Sequence, residues 1–291
     1  MSVDREKWVL LFVLTLIWGS SFILIKKSLE HFNPYQVGAL RVLIAGVMLM
    51  PLAIKGLKYF PKGRIKWLCV TAFCGNFIPM FLFPIAETEV SSSIAGIINA
   101  MMPIFVIVVG SLCWKFSTNR SQMIGVFISF IGACIIALGG DSDGSLKIFP
   151  IVLLLIATVL YAISSTTVKA KLLDVPAKAL SGFVFFYVLF LPSLIALAFT
   201  GFFSEFKGTP SQWQGLGFVS LLSIFGTGLA MMLNYRLLNI STPLFASTVT
   251  LLMPIVAIIW GVLDGEVLTM VQIVGATIII AGLLFLRKSS Q

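Results

Sequence analysis

Nine side chains suited to holding a solute are spread along the chain: Trp18, Ser21, Asn76, Asn99, Met102, Tyr161, Ser165, Thr250 and Met253. Their chemistry is that of recognition. Indole and phenol faces stack, hydroxyls and amides donate and accept hydrogen bonds, and thioethers fill irregular gaps. Bond-making groups are missing from the pattern. The one histidine, His31, falls between apolar runs without a serine partner, no two carboxylates share an apolar stretch, and Cys69, Cys74, Cys113 and Cys134 lack zinc-site spacing and read as small apolar residues. The expectation is a protein that binds a small molecule, needs no cofactor or metal, and is not an enzyme.

The elements that must position these residues are membrane helices. With 59% hydrophobic and 11% charged residues and a mean hydropathy of +1.07, the chain is far from the roughly 25% charge of a soluble domain. Apolar runs predict ten spans, at 8–27, 35–54, 66–85, 91–113, 121–139, 148–169, 179–200, 213–235, 241–262 and 268–286. The third and eighth are interrupted, one by Asn76 and Pro79, the other by Gly226, Gly228 and Asn234; membrane helices tolerate such breaks where neighbours satisfy the freed backbone groups. Arg5 and Lys7 ahead of an apolar run resemble the start of a signal peptide. No small-residue cleavage site follows Val9–Ile17, so the run is expected to remain as the first span.

Charge placement gives an orientation. If the N-terminus is cytoplasmic, Arg5, Lys7, Lys55, Lys58, Lys62, Arg64, Lys66, Lys115, Arg120, Lys169, Lys171, Lys178, Arg236, Arg287 and Lys288 are inside, fifteen of the 20 cations. Lys26, Lys27, Lys147 and Lys207 stay outside, and Arg41 lies within the second span. That is the positive-inside distribution. It accounts for a net charge of +9 without nucleic acid, and it places both termini in the cytoplasm.

The chain repeats itself. Residues 93–103 and 244–254 align at an offset of 151 and both end in Met-Pro; Gly125 and Gly132 match Gly275 and Gly282; and Trp18, Ser21 and Lys26 lie 143 positions before Tyr161, Ser164 and Lys169. Five spans per half is odd, so the second copy runs through the membrane inverted relative to the first, an arrangement that places a site at the midplane and moves by alternating access. The halves are expected at 1–140 and 145–291, within one all-α integral membrane domain.

The pattern Trp18-Gly19-Ser20-Ser21-Phe22, then Pro34 and Arg41 in Ala39-Leu40-Arg41-Val42-Leu43, and later Thr250-Leu251-Leu252-Met253-Pro254-Ile255-Val256-Ala257 followed by Gly265-Glu266, resembles the EamA type of the drug/metabolite transporter superfamily. The first half departs from it, because Lys115 stands where Glu266 stands in the second. The resemblance covers nearly the whole chain. It implies ten helices, cytoplasmic termini and export or exchange of small metabolites, with a bacterial-type cytoplasmic (inner) membrane as location.

Five tryptophans, Trp8, Trp67, Trp114, Trp213 and Trp260, sit near span ends as interfacial tryptophans do. Trp18 follows Trp8 by ten residues, about 15 Å deeper and near the bilayer centre. It and Tyr161 either pack with their polar tips bonded to neighbours or form the aromatic walls of a cavity. Gly96, Asn99 and Pro103 share a helical face, and span nine repeats it with Ser247, Thr250 and Pro254. Pro103 and Pro254 are expected as hinges, with static kinks as the alternative. Arg41 and Lys26 are expected as charge anchors. Arg41 has three options: to snorkel outward, to pair with Glu30 or Glu87, or to face the cavity. With no acid at mid-span, proton coupling through a buried carboxylate is not expected, which leaves facilitated diffusion or exchange. The substrate class that suits this set is amino acids or related amphipathic carboxylates; alternatives are a multidrug, cation or nucleoside carrier of the same fold, or a channel. Substrate and lipid bilayer are the expected partners, with the chain as a monomer.

Overall fold

The structure is a computed structural model that describes residues 2–90, 92–138, 148–263 and 270–288. All regular elements among them are helical. In order they are α1 (Val3–Leu29), α2 (Pro34–Lys55), α3 (Lys62–Glu87), α4 (Ser92–Asn99), α5 (Met102–Trp114), α6 (Arg120–Leu138), α7 (Ile148–Lys171), α8 (Ala177–Phe199), α9 (Pro210–Ile240), α10 (Pro243–Ser247), α11 (Val249–Leu263) and α12 (Met270–Lys288). Among the described residues, six (α1, α2, α3, α7, α8 and α9) are long and apolar enough to cross a membrane; shorter apolar stretches lie at Met102–Trp114, Pro243–Val256 and Ile273–Gly282. Exposed apolar side chains such as Leu112 (79% exposed) and Phe199 (88%) face outward, as lipid-facing residues of a multi-pass membrane protein do. Asp141, Asp143, Lys147, Asp264, Gly265 and Glu266 lie outside the described residues.

Local sequence sets the ends. Asn33 accepts from the Gln36 amide while the Gln36 side chain accepts from the Asn33 amide, with Pro34 in the first turn; Thr209, Pro210 and Gln212 repeat the device at the start of α9. Lys115 adopts a left-handed conformation (φ 56°) and closes α5. Lys169 Nζ donates to the carbonyls of Leu238 (3.0 Å) and Ser241 (2.6 Å) at the end of α9, so this cation caps a helix C-terminus. Lys26 is exposed near the end of α1, and its neighbour Lys27 pairs with Glu30.

The two halves exchange their first helices. α1 packs on α9 and α11 of the second half, and α7 packs on α3 and α5 of the first. The repeat anticipated from the sequence is visible in these contacts. A Cβ on Gly75 in α3 would collide with Ser164 Oγ in α7, and a Cβ on Gly226 in α9 would collide with Ser21 Oγ in α1; Gly75 and Gly226 are 151 apart, Ser21 and Ser164 143 apart. α6 and α12 pack closely as a pair. Gly132 there abuts the Gly275 carbonyl and Gly282 abuts the Gly125 carbonyl, the small-residue approach that membrane helices use where apolar side chains bring no advantage over lipid.

The two interrupted runs have a common structural outcome. Phe73–Phe77 in α3 and Ile224–Leu229 in α9 are π-helical, and both contain the glycine of the crossing. A further π segment, Phe183–Leu189 in α8, has no counterpart in α2.

Candidate functional site

Side chains from both halves surround a partly open cavity, with about 920 Å³ of non-atom space once its opening to solvent is included. Eight of the nine expected residues line it: Trp18, Ser21, Asn99, Met102, Tyr161, Ser165, Thr250 and Met253. Asn76 does not. It is fully buried in the π turn of α3, where Nδ2 donates to the Thr71 carbonyl (3.3 Å) and to Tyr235 Oη (3.5 Å). Its mid-run position fixes depth alone. The extra residue of a π turn rotates it away from the cavity and leaves Gly75 there instead.

Trp18 fulfils both of its alternatives. Its Nε1 donates to the Gly226 carbonyl at 2.9 Å while the ring lines the cavity. Tyr161 stands 6.0 Å from Phe83, ring centre to ring centre, and donates no hydrogen bond among the described residues. Asn99 Nδ2 lies 3.6 Å from Met253 Sδ, and its Oδ1 is a buried acceptor without a partner among the described residues. Lining residues that the sequence did not assign to the site include Tyr235 and Leu238 near the end of α9, Ala246 in α10, and Gly226 and Asn234, noted only as interruptions of their span. Ser164, matched to Ser21 in the repeat but not among the nine expected site residues, lines the cavity beside Ser165 and also donates to the Thr71 carbonyl at 3.1 Å.

The two prolines sit differently in their helices. The fourth run breaks at Ala100–Met101, so Pro103 sits in the first turn of α5, not inside a continuous helix, which is where a residue lacking N–H is best tolerated. Pro254 lies inside α11, and the break in that run comes earlier, at Thr248. Inside α11, Pro254 has no amide to direct at the carbonyl of Thr250, a cavity residue.

Arg41 faces inward. It is 6% exposed, lines the cavity, and donates from Nε to Thr227 Oγ1 at 2.8 Å. It does not pair with Glu30, which is held by Lys27. Thr227, the partner of Asn76 at an offset of 151, also donates to the Leu222 carbonyl at 3.4 Å, as Asn76 does to Thr71. At one end of the molecule, two ion pairs join the halves: Glu6 with Arg236 (2.8 Å) and Asp174 with Arg64 (2.6 Å). The hydrogen bonds from Arg64 hold the Asp174 carboxyl below the usual carboxylate range.

Comparison with known proteins gives this architecture its relatives. The profile of the EamA-like transporter family matches residues 7–138 and again 148–288. An uncharacterized transporter of Archaeoglobus fulgidus is 25% identical over 279 residues, covering 96% of this chain and 97% of that one. The uncharacterized inner membrane transporter YedA of Escherichia coli K12 is 25% identical over 265 residues, 90% of this chain and 84% of its own. A probable amino-acid metabolite efflux pump of Salmonella typhimurium is 22% identical over 297 residues, with 97% and 94% covered. One solved crystal structure superposes over 100% of both chains with a TM-score of 0.73 at 15% identity, a likeness of fold.

Proposed function

Because the chain belongs to the EamA-like transporter family, whose profile it matches in both halves, we propose that it is an alternating-access carrier of small metabolites. In this reading ten spans, with α4–α5 and α10–α11 each counted as one broken span, form two inverted five-helix repeats with both termini cytoplasmic. The observation that carries it is the central cavity, built by both halves and bounded by two equivalent crossings, Ser21 on Gly226 and Ser164 on Gly75. Rocking one half against the other about such crossings exposes a midplane site to each side in turn. The breaks beside Pro103 and within the run that contains Pro254 are the places where the gating helices bend.

The cargo in this reading is an amino acid or a related amphipathic carboxylate, exported or exchanged across a bacterial inner membrane by a monomer. Support comes from the aromatic and amide lining, from the absence of acidic residues among those that line the cavity, and from the Salmonella relative's name, probable amino-acid metabolite efflux pump. The inner-membrane location is supported by the name of the Escherichia coli relative and by the inward bias of Lys and Arg. Reconstituted into proteoliposomes, the protein is expected to show saturable counterflow of labelled amino acids, faster with unlabelled solute on the far side. Flux without such trans-stimulation would make it a channel; accumulation against the solute's gradient, only under an imposed pH gradient, would overturn uncoupled transport.

A further inference from the structure

Arg41 is the only charged side chain among the residues that line the cavity. Its environment is incomplete. Thr227 takes Nε, Glu87 acts on the guanidinium electrostatically from beyond ion-pairing distance, and the two terminal nitrogens of the guanidinium bond to no described protein group. A guanidinium drawn out of water costs much more than one hydroxyl contact returns, and residues of this kind inside a membrane pair with a counter-charge. The Thr227 bond fixes the planar fork by one edge and leaves its end free, the edge that grips both oxygens of a carboxylate at once.

A second observation points the same way. Asn99 Oδ1, on the same cavity, is a buried acceptor with no partner among the described residues, and inside α11 Pro254 has no amide to offer the Thr250 carbonyl. The lining thus offers one positive charge and a group of neutral acceptors. We propose that Arg41 is the docking group for a carboxylate on the cargo, and that the cargo carries a single carboxylate together with an N–H donor that Asn99 accepts. One cation among the lining residues selects a monoanionic group over a dicarboxylate or a phosphate monoester, whose second charge would stay unpaired in the cavity. The proposal rests on the carrier reading and deepens it: Arg41 becomes the residue that reads the substrate, in place of an anchor.

The test uses purified full-length protein in detergent, with thermal stabilisation as the readout. The probes are the common amino acids, each beside its own carboxamide, with sodium chloride and inorganic phosphate as separate arms. At least one acid is expected to stabilise the wild type while its amide, which keeps the side chain and the amine, does not. Arg41→Gln should weaken that acid by about tenfold to a hundredfold, the worth of a charge-assisted hydrogen bond. Arg41→Lys, which retains the charge and loses the fork, should fall between the two. Equal stabilisation by acid and amide, undiminished binding of the acid to folded Arg41→Gln, a response to chloride or phosphate alone, or no response to any acid would each overturn the assignment. Counterflow separates this failure from failure of the carrier reading: saturable counterflow of a neutral or cationic solute would leave the carrier standing with Arg41 in another role.

Discussion

The two crossings between the halves share a scaffold and differ in their polar equipment. In each, a serine of a first helix rests on a glycine in a π turn, Ser21 on Gly226 and Ser164 on Gly75. Around Gly226, Trp18 donates to the glycine carbonyl and Arg41 donates to Thr227. Around Gly75, Tyr161 replaces Trp18 without a hydrogen bond among the described residues, and Asn76 replaces Thr227 and turns to Thr71 and Tyr235. Packing was duplicated and chemistry was not. The cavity between the crossings has a cation on one wall and neutral groups on the other, so it has polarity although its frame has near symmetry.

The largest test of that comparison is steric. Gly75→Val and Gly226→Val each drive methyl groups into the serine opposite, and overpacking of this kind is expected to cost about 3 kcal/mol at either site, read as thermal unfolding in detergent. Unequal losses would show that one crossing carries the frame alone. A smaller effect separates the aromatic pair. Trp18→Phe removes the bond to the Gly226 carbonyl and should cost about 1–2 kcal/mol, whereas Tyr161→Phe should change stability by less than about 0.5 kcal/mol. A Tyr161 loss as large as that of Trp18 would mean that its hydroxyl supports the frame as well.

A similarly small effect lies at the ion-paired end, where Glu6–Arg236 ties α1 to α9 and Arg64–Asp174 ties α3 to the turn after α7. Arg64 and Asp174 are substantially exposed, so after solvent screening Asp174→Asn should cost only about 0.5 kcal/mol. Because the folded-state value of Asp174 is lowered, that contribution is complete at neutral pH and fades as pH falls through the lowered value, beneath the unfolded-chain value of about 3.9. A Tm difference between wild type and Asp174→Asn that persists at the acid end of the titration would assign the effect to something other than this pair.

Much of the frame was legible because its determinants are local or periodic. Apolar runs marked the helices, and offsets of 143 and 151 named the serines and the prolines that recur in both halves. Depth along a helix placed most of the cavity residues, since 1.5 Å per residue is fixed. Rotation about the helix axis was not legible. Asn76 has the right depth and the wrong azimuth, because one added residue in a π turn depends on the tertiary partner that fills the gap, here Ser164 against Gly75. Arg41 was ambiguous for the same reason. Gly38, one turn before it on α2, lies so close to the Met80 carbonyl of α3 that a Cβ would not fit, and which face of α2 makes that contact, distant in sequence, is not written in the apolar run. Pro103 read as a kink inside one helix, whereas the chain starts a new helix just before it.

The glycine contact of α6 and α12 has a genetic consequence. Gly132 against Gly275 and Gly282 against Gly125 are one contact counted twice, since Gly125 aligns with Gly275 and Gly132 with Gly282. Between two identical five-helix subunits it would be isologous, and a single codon change would alter both places together. Carried by one polypeptide, the four positions are inherited independently. A substitution can loosen one side of the helix pair and leave the other intact, so selection can make the two ends of the pair unequal without first breaking the whole contact.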